Sequence, residues 1–175
     1  MKETEMKFEV KSFAKVRERL IAIGARLVWK GMEETQYYDF RDGSLGVGGI
    51  SVRIREWKGH SVSVTCKIDL KNSKSAKNRE EIQFMTSDKI QTEKFFLHIG
   101  FVPTLNYKKK REHWEVEKNV HVELDELQTA QRFVEIEGTE QKIVTLSKVL
   151  DVFDCKKSYK AYPEILKEFL KQNKK

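Results

Sequence analysis

A period of two, carried by ionisable residues, constrains this chain more than any other feature. From Glu3 to Lys11 the sequence alternates, with Glu3, Glu5, Lys7, Glu9 and Lys11 on one side and Met6, Phe8 and Val10 on the other. An extended strand places every second side chain on one face, so this pattern predicts a strand. The same alternation returns along the chain. Arg53 and Arg55 oppose Val52 and Ile54; Lys67 opposes Val64 and Cys66; Arg79 and Glu81 oppose Ile82 and Phe84. Further on, Glu123 and Asp125 oppose Val122 and Leu124, and Glu135 and Glu137 oppose Val134 and Ile136. Lys109 and Arg111 also share a strand face, although their neighbours Lys108, Lys110 and Glu112 are charged too.

Between these segments lie helix signals. Ser12 precedes a stripe of Phe13, Val16, Leu20 and Ile23 that Gly24 ends; Ser87 opens a helix running to about Ile99 and closed by Gly100. Thr139 caps a helix carrying Ile143, Leu146, Val149 and Leu150, and Pro163 stands in the first turn of a terminal helix reaching Gln172. Residues 27–29 and 34–40 read as two short strands, 101–117 as two strands or one long bent one, and Gly43, Gly46, Gly48 and Gly49 mark a loop. Residues 71–78 read as a polar loop. The expected class is α+β, a single domain over residues 1–175. About eight antiparallel strands are frequent enough to close a barrel with helices outside.

The two faces differ in a way that bears on function. An antiparallel sheet often turns its charged face to water. Here the amphipathic helices need the apolar face, and the polar faces carry few Thr, Ser or Gln residues. Carboxylates recur at i and i+2 on the first and last strands, and like charges so placed cost stability unless something neutralises them. If the ionic faces line an interior, they need counter-ions. Carboxylates suit hard divalent cations, and Arg and Lys suit phosphate oxygens. The net charge of +7 in 175 residues also favours a polyanionic partner, even with the lysine-rich end (Lys167, Lys171, Lys174, Lys175) discounted.

Other chemistries lack their signatures. Cys66 and Cys155 have no CxxC partner, and the four histidines show no metal-ligand spacing. Gly46-Val47-Gly48-Gly49 lacks the Lys-Ser/Thr of a phosphate-binding loop and precedes a strand. No stretch approaches 18 apolar residues and the start is polar, so the expectation is a cytoplasmic chain with no membrane partner. An apolar patch around Trp29 and Met32 suggests a monomer or a homodimer.

The order of these motifs resembles the CYTH, or triphosphate tunnel, family. Glu3-Thr4-Glu5-Met6-Lys7 matches its Glu-x-Glu-x-Lys hallmark. Then follow Arg53-Ile54-Arg55, the lone Lys67, Arg79-Glu80-Glu81, Lys109-Lys110-Arg111, Glu123-Leu124-Asp125 and Glu135-Ile136-Glu137. One departure is that Gln128–Arg132 stands where the family often has Leu-Gly. The resemblance implies an eight-stranded tunnel and a substrate bearing a triphosphate. It implies that Lys7, Arg53, Arg55, Lys67, Arg79, Lys109 and Arg111 hold phosphates. Glu3, Glu5, Glu81, Glu123, Asp125, Glu135 and Glu137 would hold Mg²⁺ or Mn²⁺, and Glu5, Lys7, Arg55 and Glu137 would be catalytic.

The first expectation is a metal-dependent hydrolase of inorganic, nucleoside or thiamine triphosphate. The alternatives are a class IV adenylyl cyclase, which would form cyclic AMP and diphosphate from ATP, and a polyphosphate- or RNA-binding module without turnover. Nucleic acid is the lesser expectation, because Trp29, Trp57 and Trp114 are scattered rather than arranged as a stacking platform.

Overall fold

The computed structural model describes residues 4–69 and 79–172. The predicted polar loop and Glu3 lie outside them, apart from Lys71 to Asn78 none of the predicted elements does. The elements run β1 (Glu5–Val10), α1 (Ala14–Ala22), β2 (Arg26–Phe40), α2 (Ser44–Val47), β3 (Ile50–Trp57), β4 (Ser61–Asp69) and β5 (Arg79–Thr86). They continue with α3 (Lys89–His98), β6 (Phe101–Glu117), β7 (Val120–Leu127), β8 (Arg132–Glu137), α4 (Glu140–Val149), β9 (Lys156–Ser158) and α5 (Tyr162–Gln172). The class is α+β. Nine strands are ordered β5-β4-β3-β2-β6-β7-β8-β1-β9, and every resolved pairing is antiparallel. This order has two ends, β5 and β9, so the strand pairing does not close the eight-stranded barrel expected from the sequence. The extra strand is β9, whose three residues are too few to show a period.

Two compact units emerge, one of Met32–Lys108 and one of Thr4–Gly31 with Lys109–Lys175. In the second, the apolar sides of β1, β7 and β8 supply Phe8, Val122, Leu124, Val134 and Ile136. Val16 and Leu20 of α1 and Ile143 and Leu146 of α4 complete that core. In the first, Val52, Ile54 and Val64 pack with Tyr38 and with Phe96 of α3. The helices therefore cover the greasy side of the strands in each unit, as the amphipathic stripes predict.

Several local expectations change. The two short strands at 27–40 are one strand of 15 residues. Gly31 lets it run on, because a Cβ there would lie 2.7 Å from Cζ2 of Trp29, which folds over it. Trp29 and Met32 are half-buried rather than an exposed patch. The 101–117 segment is one strand of 17 residues, with an irregular register between Glu115 and Glu117. The glycine loop contains the single turn α2, and Asp39 holds it by accepting from the backbone N–H of Leu45 and Gly46, both at 3.0 Å. The cap of α3 is Asp88, not Ser87, and its carboxylate accepts from Gln91 N–H at 2.9 Å. Phe13 occupies the cap position of α1 without a side-chain bond, while Ser12 accepts from Ala14 N–H at 3.3 Å. Thr139 caps α4 as expected, accepting from Lys142 N–H at 3.4 Å.

Candidate functional site

The period-two rule puts Glu5 and Lys7 on one face of β1, Lys109 and Arg111 on one face of β6, Glu123 and Asp125 on β7, and Glu135 and Glu137 on β8. Backbone register then aligns them. Lys7 stands opposite Glu135 and Glu5 opposite Glu137, Glu135 stands opposite Glu123, and Arg111 stands opposite Asp125. All but Glu5 and Glu137 are buried: Lys109 is 2% exposed, Lys7 4%, and Asp125 0%. The ionic face is thus withdrawn from solvent in the unit formed by Thr4–Gly31 and Lys109–Lys175.

Buried charges at this density must be paired. Asp125 accepts from Arg111 through both oxygens (2.7 and 2.6 Å) and from Lys109 at 3.0 Å. Lys7 donates to Glu5 at 2.5 Å and lies 3.5 Å from Glu135. Arg111 is 3.5 Å from Glu135 and 3.8 Å from Glu123. Burial pulls the Lys7 ammonium toward neutrality, but the charges of Glu135, Glu5 and Asp125 together with the Glu5 hydrogen bond outweigh it and hold it above the ordinary lysine value. Here three cations, Lys7, Lys109 and Arg111, meet four carboxylates, Glu5, Glu123, Asp125 and Glu135.

Tyr162, at the start of α5, enters this cluster. Its hydroxyl lies 2.6 Å from Asp125 Oδ2 and 3.1 Å from Glu135 Oε2. Its ring lies 4.3 Å below Lys109 Nζ and 5.3 Å from Lys7 Nζ. Burial, then the neighbouring Asp125 and Glu135, push the phenol well above its usual range, so it keeps the proton it donates. His113 joins from β6, its Nδ1 2.9 Å from Glu123 Oε1, and its ring stacks on His121 at 5.0 Å. Nδ1 of His121 is buried without a hydrogen-bond partner.

In the unit Met32–Lys108, Arg53 and Arg55 share a face of β3, with Thr65 and Lys67 on β4 and Glu33 and Thr35 on β2. Glu33 is fully buried; it accepts from Trp57 Nε1 at 2.8 Å and lies 3.5 Å from Arg55 Nε. Tyr37 stacks on Tyr107 at 6.3 Å. Burial opposes the charge on Arg53, but Tyr37, Tyr107 and Glu33 more than offset it. Lys67 pairs with Glu81 at 2.8 Å. Nε of Arg53 and Nε of Arg55 are buried with no hydrogen-bond partner. Among these groups three cations, Arg53, Arg55 and Lys67, meet two carboxylates, Glu33 and Glu81. The balance therefore favours an anion here and a cation in the other cluster.

The predicted residues thus gather into two sets. Arg79 begins β5 opposite Asp69, and Glu3 lies outside the described residues. Alternation could not reveal Tyr162, which arrives from a helix. Glu33, Thr35 and Tyr37 alternate on β2 and were hidden by the apparent break at Gly31. Tyr107 sits two residues before Lys109 and carried the same signal.

The CYTH domain description matches residues 1–167. The chain belongs to the CYTH family. Among relatives, a candidate adenylate cyclase of Methanocaldococcus jannaschii is 29% identical over 151 residues, covering 86% of this chain and 85% of the relative. Among solved structures, a candidate adenylate cyclase of Vibrio parahaemolyticus superposes with a TM-score of 0.82 at 20% identity, covering 95% of this CYTH chain and 98% of the other. A Hippeastrum protein described as a candidate adenylyl cyclase with a dominant triphosphatase activity superposes with a TM-score of 0.70 at 16% identity, covering 96% of each chain. At these identities the two superpositions establish the CYTH fold.

The donor chemistry of Glu5, Glu123, Glu135 and Glu137 is all carboxylate oxygen, which fits a hard divalent ion. Among the described residues no three such side chains are gathered as a metal centre. Glu5 and Glu135 are engaged instead with Lys7, and Glu135 with Arg111 and Tyr162. Among the described residues, no helix is long and apolar enough to cross a membrane.

Proposed function

We propose that this chain is a divalent-metal-dependent triphosphatase. The observation that carries the reading is the buried cluster in which Lys7, Lys109 and Arg111 are packed among Glu5, Glu123, Asp125 and Glu135. Such a set serves a substrate that is itself strongly anionic, because phosphate oxygens can replace carboxylates as partners of the cations. The triphosphatase activity described for the Hippeastrum relative supports the same reading.

Lys7, Lys109 and Arg111 would hold phosphate oxygens and offset the charge that grows on the leaving diphosphate. Arg53, Arg55, Lys67 and Arg79 offer further phosphate-binding groups in their own unit. Glu5 and Glu137, opposite one another on β1 and β8, would take the proton of the water that attacks the terminal phosphorus. As that water's oxygen bonds to phosphorus, the bond to the bridging oxygen breaks and diphosphate leaves. Glu5, Glu123, Glu135 and Glu137 would hold Mg²⁺ or Mn²⁺, with Glu3, Glu81 and Asp125 as further oxygen donors; the ion would supply charge neutralisation at the phosphate oxygens.

A second reading is cyclisation of ATP, and the names of the Methanocaldococcus and Vibrio relatives favour it. One assay separates the two. The protein is incubated with ATP or tripolyphosphate and Mg²⁺ or Mn²⁺, and the products are resolved. ADP with phosphate, and diphosphate with phosphate from tripolyphosphate, are the expected products. Cyclic AMP with diphosphate selects the cyclase, and no product from either substrate contradicts both.

A further inference from the structure

A cavity of about 330 Å³ opens beside the carboxylate cluster, lined by β1, β8, β9 and α5. It is at the small end of ligand-sized cavities, roughly 300–1,000 Å³. Its floor is Phe133, which stands directly opposite Asp125 on β7 and opposite Glu9 on β1. The cavity and the cluster therefore share one sheet face, about one strand spacing of 4.8 Å apart. Tyr162 is the wall they have in common. Its hydroxyl is on Asp125 and its ring meets the ring of Phe133 edge-on at 5.8 Å.

The lining defines what fits. Ile165 and Phe169 present one apolar face of α5, four residues apart. Gln131 and Ser158 add hydrogen-bonding groups. The cations at the rim are already matched: Lys156 pairs with Glu9 at 2.9 Å and Lys160 with Glu168 at 2.6 Å, while Lys157 lies over the ring of Phe153 at 4.3 Å. With its lysines engaged, the cavity is poorly suited to a second phosphate. Aromatic and aliphatic walls with a few polar edges suit a flat ring that carries hydrogen-bonding atoms.

We propose that this cavity receives the planar heteroaromatic group of an organic triphosphate, so that the substrate is a nucleoside or similar triphosphate rather than the inorganic chain. The proposal rests on the triphosphatase reading for the phosphate end and adds the organic end. Isothermal titration in EDTA, which stops turnover, tests it. ATP, GTP, CTP, thiamine triphosphate and tripolyphosphate are titrated into the full chain and into Phe169→Ala and Ser158→Trp, the latter filling the cavity from β9. At least one organic triphosphate is expected to bind about tenfold or more tightly than tripolyphosphate. Both variants should remove that preference and leave tripolyphosphate binding unchanged. Equal binding of all five ligands to the unaltered chain overturns the proposal, as does a preference that survives in both variants. Tripolyphosphate hydrolysis with no organic preference removes only this proposal. Failure of every triphosphate to bind removes the triphosphatase reading with it.

Discussion

Asp125 shows how much a single buried residue organises. It is fully buried and accepts from Lys109, Arg111 and Tyr162. Asp125→Asn leaves two buried cations without their anion, and a loss of about 3–5 kcal/mol is expected in urea unfolding. A different carboxylate gives a pH signature. Glu112 accepts from Arg17 Nε at 3.0 Å and pairs with Lys30 at 3.0 Å. Burial raises its pKa, but the hydrogen bonds and charges of Arg17 and Lys30 outweigh that and hold it below the usual glutamate value. Its contribution to stability is thus complete above the ordinary glutamate pKa and fades as pH falls through the lower folded value. Glu112→Gln should flatten the acid side of a stability-versus-pH curve and leave its alkaline side alone; an unchanged acid slope contradicts the pairing. Alternation alone made Lys7, Arg53, Arg55, Glu123 and Glu135 legible as members of charged faces. It could not say that these faces are buried, because the same pattern describes a solvated sheet. Tyr162 was illegible for another reason, since its partners Asp125 and Glu135 are more than 25 residues away on other elements.

At the scale of elements, the helix ends and strand lengths decide what the pattern can deliver. Asp88 satisfies an N–H at the start of α3 that has no partner within the helix. Asp88→Ala should cost about 1 kcal/mol of stability by thermal or chemical unfolding. Gly31→Ala should force the Trp29 ring off β2 and change the intrinsic tryptophan fluorescence; an identical spectrum would contradict the close approach at Gly31. The strands β3, β4, β7 and β8 were readable to within a residue or two because one face of each is apolar throughout. The long strand β2 was not, because glycine at position 31 imitates a turn in sequence while serving as clearance for Trp29 in the structure. The strand β9 has no signal of its own; it exists through its pairing with Lys7, Phe8 and Glu9 of β1.

At the scale of the whole molecule, the claim is that the chain keeps buried charge for a ligand rather than for folding. A structural ion network satisfies its own donors. Here the buried Nε of Arg53 and Nε of Arg55 have no hydrogen-bond partner. The family was legible because the order of the charged pairs along the sequence matches it; the choice of substrate was not, because the cavity residues come from β8, β9 and α5 with no shared motif. The most direct measurement pairs titration of tripolyphosphate with a melting curve on the same preparations of the unaltered chain and Arg55→Ala. Loss of one charge-assisted contact should weaken binding by roughly 10- to 100-fold, with the melting temperature unchanged or raised. Unchanged affinity together with a melting temperature lowered by several degrees would make Arg55 a structural ion and contradict the account.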